Sequence, residues 1–88
     1  MPAVSTTISV RVLFFGRLRE LSGISDEQSA VPQGSTLADV FTFYANRFPN
    51  LAGFRNSLVA SCNQEFASWD TPVAAGDEIA FLPPVSGG

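Results

Sequence analysis

The residues of this 88-residue chain that could carry chemistry are few, and they gather at its end, FLPPVSGG over 81–88. Pro83 and Pro84 fix two φ angles and resist folding back into a sheet, so the segment Pro83, Pro84, Val85, Ser86, Gly87, Gly88 extends to roughly 20 Å at about 3.3 Å per residue. Two glycines give the thinnest possible backbone, a thread able to pass a narrow channel and present a carboxyl group inside another protein. Composition alone describes a frayed terminus just as simply, and on composition fraying is the preferred reading.

The other candidates have simpler roles. Cys62 is the one cysteine, and the chain has no histidine to lower its pKa and no lysine; packing within a strand is expected, with a redox or sulfur-transfer role as the alternative. Asp77 and Glu78 are adjacent carboxylates at a strand start, expected to be solvated, with a salt bridge to a partner as the alternative. Arg17, Arg19 and Glu20 read as a solvated turn. Trp69 reads as a ring packed at a sheet margin.

Composition excludes whole classes of function. Without His the usual general base near neutral pH is missing, and without Lys there is no Schiff-base or P-loop amine. A self-sufficient enzyme is not expected. No Cys/His set has metal-ligand spacing, and no cofactor is expected to be bound. Eight acidic residues against five arginines leave no basic stripe for nucleic acid. The start, MPAVSTTISVRVLFF, lacks the charged n-region and small-residue cleavage site of a signal peptide, and no apolar run approaches ~20 residues. A soluble, cytoplasmic protein with no membrane or nucleic-acid partner is the expectation.

The elements that must position the tail follow from periodicity. Residues 8–15 alternate, with Ile8, Val10, Val12 and Phe14 on one face and Ser9, Arg11, Leu13 and Phe15 on the other. GRLRELSG reads as a short helical turn closed by Gly23, and 25–32 as a polar strand whose Pro32 suits a sheet edge. Leu37, Val40, Phe41, Tyr44 and Phe48 recur at helical spacing behind a Thr36 N-cap with Asp39 three residues on, and Pro49 ends that helix. SLVASCN and EFASW are strands joined by a turn at Asn63–Gln64. DEIAFLP is the last, with Ile79 and Phe81 on one face and Ala80 and Leu82 on the other.

One amphipathic helix against a four- to five-stranded mixed sheet implies a two-layer α+β domain, and the β-grasp, or ubiquitin-like, arrangement is the candidate fold. Residues 1–7 are expected to be a disordered extension, 8–82 the domain and 83–88 a flexible functional tail. If the first and last strands are neighbours, Leu13, Phe15 and Leu82 share the sheet face that the helix leaves uncovered, an apolar patch of the kind that marks a protein interface. The alternative is a small second cluster beneath the GRLREL turn.

VLFFGRLRELSG, the helix, and VASCNQEFASWDTPVAAGDEIAFLPPVSGG together resemble one family over residues 8–88, the small sulfur-carrier subunits of molybdopterin synthase. The GDEIAFLPPVSGG ending is the specific part, and 24–56 match in pattern only. The resemblance implies a β-grasp fold and Gly88 as the working group. Its ionised α-carboxylate is a poor acyl electrophile and needs activation. In the family a ubiquitin-activating-type adenylyltransferase uses ATP to make an acyl-AMP there, and a sulfur donor displaces AMP to leave a thiocarboxylate. That sulfur attacks cyclic pyranopterin monophosphate in the large catalytic subunit, building the molybdopterin dithiolene within a heterotetramer. The patch of Leu13, Phe15 and Leu82 would dock on that subunit or on the activating enzyme while residues 83–88 thread into its active site. The lack of lysine leaves no side-chain amine to attack the activated end. A thiamin-pathway sulfur carrier and a ubiquitin-like protein modifier are the competing roles.

Overall fold

The computed structural model describes residues 6–83. Five strands, β1 (Thr7–Phe14), β2 (Asp26–Pro32), β3 (Val59–Cys62), β4 (Glu65–Ala67) and β5 (Glu78–Leu82), form one sheet in the order β2-β1-β5-β3-β4. β1 and β5 are parallel, and the other pairings are antiparallel. A short helix, α1 (Arg17–Ser22), follows β1, and the main helix, α2 (Leu37–Arg47), covers one sheet face. This is the mixed five-stranded β-grasp arrangement that the order of elements predicts.

β1 begins one residue earlier than expected. Thr7 pairs with Pro32, and the Thr6 carbonyl accepts the Gln33 amide at 2.9 Å, so these two residues belong to the domain and not to a disordered extension. Residues 1–5 of that expected extension lie outside the described residues. At the other end Pro83 is half-buried rather than part of a free tail, while Pro84, Val85, Ser86, Gly87 and Gly88 lie outside the described residues.

The core forms where the two periodicities meet. Val10, Val12 and Phe14 of β1, Ile79 and Phe81 of β5, and Leu37, Val40, Phe41 and Tyr44 of α2 are buried together with Leu18, Leu51 and Leu58. Phe81 sits at its centre, edge-on to Phe41 at 5.2 Å, stacked with Trp69 at 5.8 Å and 5.9 Å from Phe14. The expected alternative of a separate cluster under the GRLREL turn is not what forms, because Leu18 joins this same core.

α2 starts through a complete capping box. The Asp39 amide donates to Thr36 Oγ1 at 3.2 Å and the Thr36 amide donates to the Asp39 carboxylate at 3.0 Å, so two of the orphan donors of the first turn are satisfied. Its last turns tie to edge strand β2. The Tyr44 hydroxyl donates to Glu27 Oε1 at 2.6 Å and Arg47 pairs with the same oxygen at 3.0 Å. Burial, then the Glu27 carboxylate, pushes the Tyr44 phenol up to about 12, so it remains a donor. Pro49 opens a run of 3₁₀ turns through Ser57.

Replacing Thr36 with Ala removes one half of the capping box and is expected to cost about 1 kcal/mol. In a domain of this size that reads as a fall of about 4–8 °C in Tm by calorimetry or circular dichroism, with the spectrum of the folded state unchanged.

Candidate functional site

Burying Phe81 decides what the opposite face of the sheet carries. Successive residues of a strand point to opposite sides, so Ala80 and Leu82 emerge on the face without the helix. The register brings others beside them: Leu13 is paired with Ala80, Ser61 with Ala80, Val59 with Leu82 and Phe66 with Ser61. Leu13, Phe15, Phe66, Ala80 and Leu82, with Ser61, Gln64 and Glu78, line a shallow depression of about 460 Å³. Leu13, Phe15 and Leu82 are thus brought together as the sequence predicts.

Two members of this face escaped sequence reasoning. Phe66 is 79% exposed and Val59 45%, against 45% for Phe15, so the most exposed ring on the patch is one the sequence reading did not assign to it. The signal was the turn at Asn63–Gln64. Both residues have positive φ, 54° and 72°, which gives a two-residue hairpin, and that hairpin sets Phe66 opposite Ser61. The rim is charged: Arg11 Nη2 lies 2.8 Å from the Asp26 carboxylate across β1 and β2, and Glu78 stands opposite Arg11 in the β1–β5 register. An apolar centre with a polar rim is how protein interfaces are built.

The last described residue lies against the edge of this face. Gly16, between β1 and α1, has φ 58° and ψ −131°, a conformation open to glycine, and a Cβ there would stand 3.2 Å from Pro83 Cγ. Because β5 runs parallel to β1, the chain leaves the sheet beyond Leu82 next to the Phe15–Gly16 turn, and Pro83 seats against that turn.

Asp77 is not the solvated strand end expected. Its carboxylate accepts the Ala74 amide at 2.8 Å, the Asn63 side-chain amide at 3.0 Å and the Cys62 thiol at 3.3 Å. These bonds, the Ala74 amide first, hold its pKa below the ordinary carboxylate value. In return the Asn63 carbonyl oxygen accepts the Glu78 amide at 2.9 Å, closing a clamp between the β3–β4 turn and the start of β5. Burial, then the Asp77 carboxylate, pushes the Cys62 thiol up to about 11. Cys62 is accordingly a packed thiol donor: the Asn63 side-chain amide lies 3.8 Å from its sulfur, but burial and the Asp77 carboxylate that accepts its proton outweigh that contact. Trp69 packs at the margin, with the Arg55 guanidinium 3.8 Å above its ring. Among the described residues no cluster of His, Cys, Asp or Glu could hold a metal ion, and no helix is long and apolar enough to cross a membrane.

The chain is similar in sequence to a known group of proteins. The sequence model of the ThiS family matches residues 12–88. The molybdopterin synthase sulfur carrier subunit of Arabidopsis thaliana is 34% identical over 84 residues, covering 96% of this chain and 88% of that one. Its counterpart in Escherichia coli K12 is 38% identical over 81 residues, covering 90% and 99%. Among solved structures, small archaeal modifier protein 1 of Haloferax volcanii superposes with a TM-score of 0.79 at 25% identity, over 89% of this chain and 99% of that one.

The Cys62 environment gives a direct test. With the thiol near pKa 11, alkylation by iodoacetamide at pH 8 is expected to be slower than that of free cysteine by on the order of 100-fold. The rate should rise about tenfold per pH unit toward that value, and Asp77→Asn should narrow the gap by removing the carboxylate that favours the S–H form.

Proposed function

The chain belongs to the ThiS family, and from that premise we propose that it is the sulfur-carrier subunit of a molybdopterin synthase, with Gly88 as the cargo position. The observation that carries this reading is the delivery of the chain by β5 to Pro83 at the rim of an exposed apolar face. A carrier needs a docking surface and an outgoing chain end side by side, and the relatives that bear this name match over nearly the whole chain.

In this role Leu13, Phe15, Phe66 and Leu82 dock on the large catalytic subunit, and residues 83–88 enter its active site. The Gly88 carboxylate first attacks the α-phosphorus of ATP on a ubiquitin-activating-type adenylyltransferase, releasing pyrophosphate and leaving an acyl-AMP. Sulfide-level sulfur released by a donor as HS⁻ then adds to that carbonyl carbon, AMP departs with its electron pair, and the S–H proton passes to solvent. The resulting thiocarboxylate is a nucleophile that the carboxylate was not, and it transfers sulfur to cyclic pyranopterin monophosphate. The folded domain supplies no acid or base to these steps; its contribution is to hold the reacting end in position. The setting is the cytoplasm, where ATP is available.

A second reading is favoured by the similarity to the archaeal modifier: the same activated Gly88 would be joined to amines of other proteins. The two differ in product. Reconstitution with adenylyltransferase, ATP and a sulfur donor should add about 16 Da to the intact chain as one tail oxygen becomes sulfur, whereas a modifier would accumulate on other proteins. Removal of Gly88 is expected to abolish restoration of molybdenum-enzyme activity, and a truncated chain that still restored it would refute the carrier role.

The docking assignment is tested separately. Leu82→Glu places a charge in the apolar patch and is expected to weaken binding to the large subunit by at least ~2 kcal/mol, about 30-fold. Phe66→Ala should also weaken it. Because Phe66 is 79% exposed, its stability change should stay within about 0.5 kcal/mol.

A further inference from the structure

We propose that Gln64 is a specificity-determining residue of the docking face. It holds a backbone conformation that glycine would adopt more easily, and its side-chain amide pairs with a peptide or amide group of the partner protein. This rests on the docking reading above and deepens it, from an apolar patch to the hydrogen bonding that a matching surface must offer.

The backbone is the first support. Among the described residues the positive-φ positions are Gly16, Gly23, Gly34, Gly76, Asn63 and Gln64. Asn63, at 54°, is of the type that tolerates the left-handed region, whereas Gln64, at 72°, is neither of that type nor a glycine. A two-residue hairpin with both φ positive is met most simply by Asn-Gly. An outlier of this sort persists where the surrounding structure over-determines it, and such outliers gather at functional sites. Here the turn is pinned to β5. The Glu78 carbonyl accepts the Asn63 amide at 2.7 Å, and the Asn63 side chain donates to Asp77 at 3.0 Å and accepts from the Glu78 amide at 2.9 Å.

The side chain is the second. That of Asn63 is used within the fold, whereas among the described residues the Gln64 amide has no hydrogen-bond partner. Gln64 is exposed, so no contact inside the domain calls for a glutamine there. It lines the depression walled by Phe15, Phe66 and Leu82, two residues before Phe66 along the chain.

The third is what docking does to that amide. A partner seated on Phe15, Phe66 and Leu82 strips water from the polar group beside them, and an enclosed amide without a partner of its own is unfavourable. A peptide or amide group on the incoming surface carries both a donor and an acceptor and satisfies both ends of the Gln64 side chain. An apolar surface of the same shape leaves it unpaired and is disfavoured, so Gln64 selects among partners that the apolar patch alone would accept.

The test measures stability and docking in the same full chains, Tm by calorimetry and affinity for the large catalytic subunit by titration. Gln64→Gly frees the backbone and removes the amide, whereas Gln64→Met keeps the length of the side chain and the strained φ but lacks the amide. Gln64→Gly is expected to raise Tm by about 3 °C or more. Both variants are expected to bind at least about fivefold more weakly. For Gln64→Gly stability and affinity then move in opposite directions, which a merely structural role would not produce. Gln64→Met binding within about twofold of the parent, or more tightly as a plain apolar contact would, overturns the proposal. So does a Gln64→Gly chain with no gain in Tm, since the conformation would then carry no strain. A parent chain that fails to bind the large subunit overturns the carrier reading and this inference together, whereas a parent that binds and is matched by Gln64→Met overturns this inference alone.

Discussion

The pleat of β5 around Phe81 is the constraint on which the rest of this structure depends. Phe81 is wholly buried against Phe14, Phe41 and Trp69, and aromatic pairs of this kind contribute about 0.5–1.5 kcal/mol each beyond their buried area. β5 is hydrogen-bonded on both sides, to β1 and to β3, so it cannot slip by one residue without putting Phe81 in solvent and Ala80 and Leu82 in the core. That one register decision fixes three things together: which apolar side chains are exposed, where they meet the Leu13 side of β1, and where the chain leaves the sheet.

An exposed aromatic face is a hazard as well as a surface, and the fold limits it at the edges. β2 is an edge strand that starts with Asp26 and Glu27 and ends in Pro32, and the opposite edge, β4, is three residues long. Short, charged or proline-bearing edges are poor templates for further strands. The apolar patch can therefore meet a partner through its side chains while the backbone at either margin gives little to a second sheet. On the helical side the tie of Tyr44 and Arg47 to Glu27 anchors β2 to α2, so the sheet does not rely on its uncovered face for order.

Much of this was legible in the sequence because it is local. The Thr36–Asp39 pair and the spacing of Leu37, Val40, Phe41 and Tyr44 mark α2 within one stretch of chain, and the alternation through β1 and β5 marks both faces of the sheet. What was missed is non-local. Phe66 sits in a strand too short to show a period, and only its pairing with Ser61 assigns it to the patch. Asp77 looked like a solvated carboxylate because its partners Cys62 and Asn63 are 15 and 14 residues away. The stretch LAGFRN, 51–56, shows no helical or strand period in the sequence because it lies in the 3₁₀ run Pro49–Ser57, whose turns do not repeat the helical spacing of apolar residues. The role proposed for Gly88 was not legible from composition at all; it entered through the GDEIAFLPPVSGG ending taken as a whole.

The parallel pairing of β1 with β5 then explains how a domain without histidine or lysine serves a chemical role. A parallel neighbour makes the last strand finish beside the end of the first, so Leu82 and Phe15 are adjacent and Pro83 rests on Gly16. In the proposed role docking and delivery are therefore a single event, since the side chains that bind the partner flank the point at which the tail departs. Binding energy gained at the patch is spent on holding the tail end in the partner's site, which replaces a bimolecular encounter by an intramolecular one. An antiparallel β1–β5 pair over the same stretch would have sent the chain out beside Arg11, about 13 Å from Phe15, and the same residues would have docked a tail that pointed away.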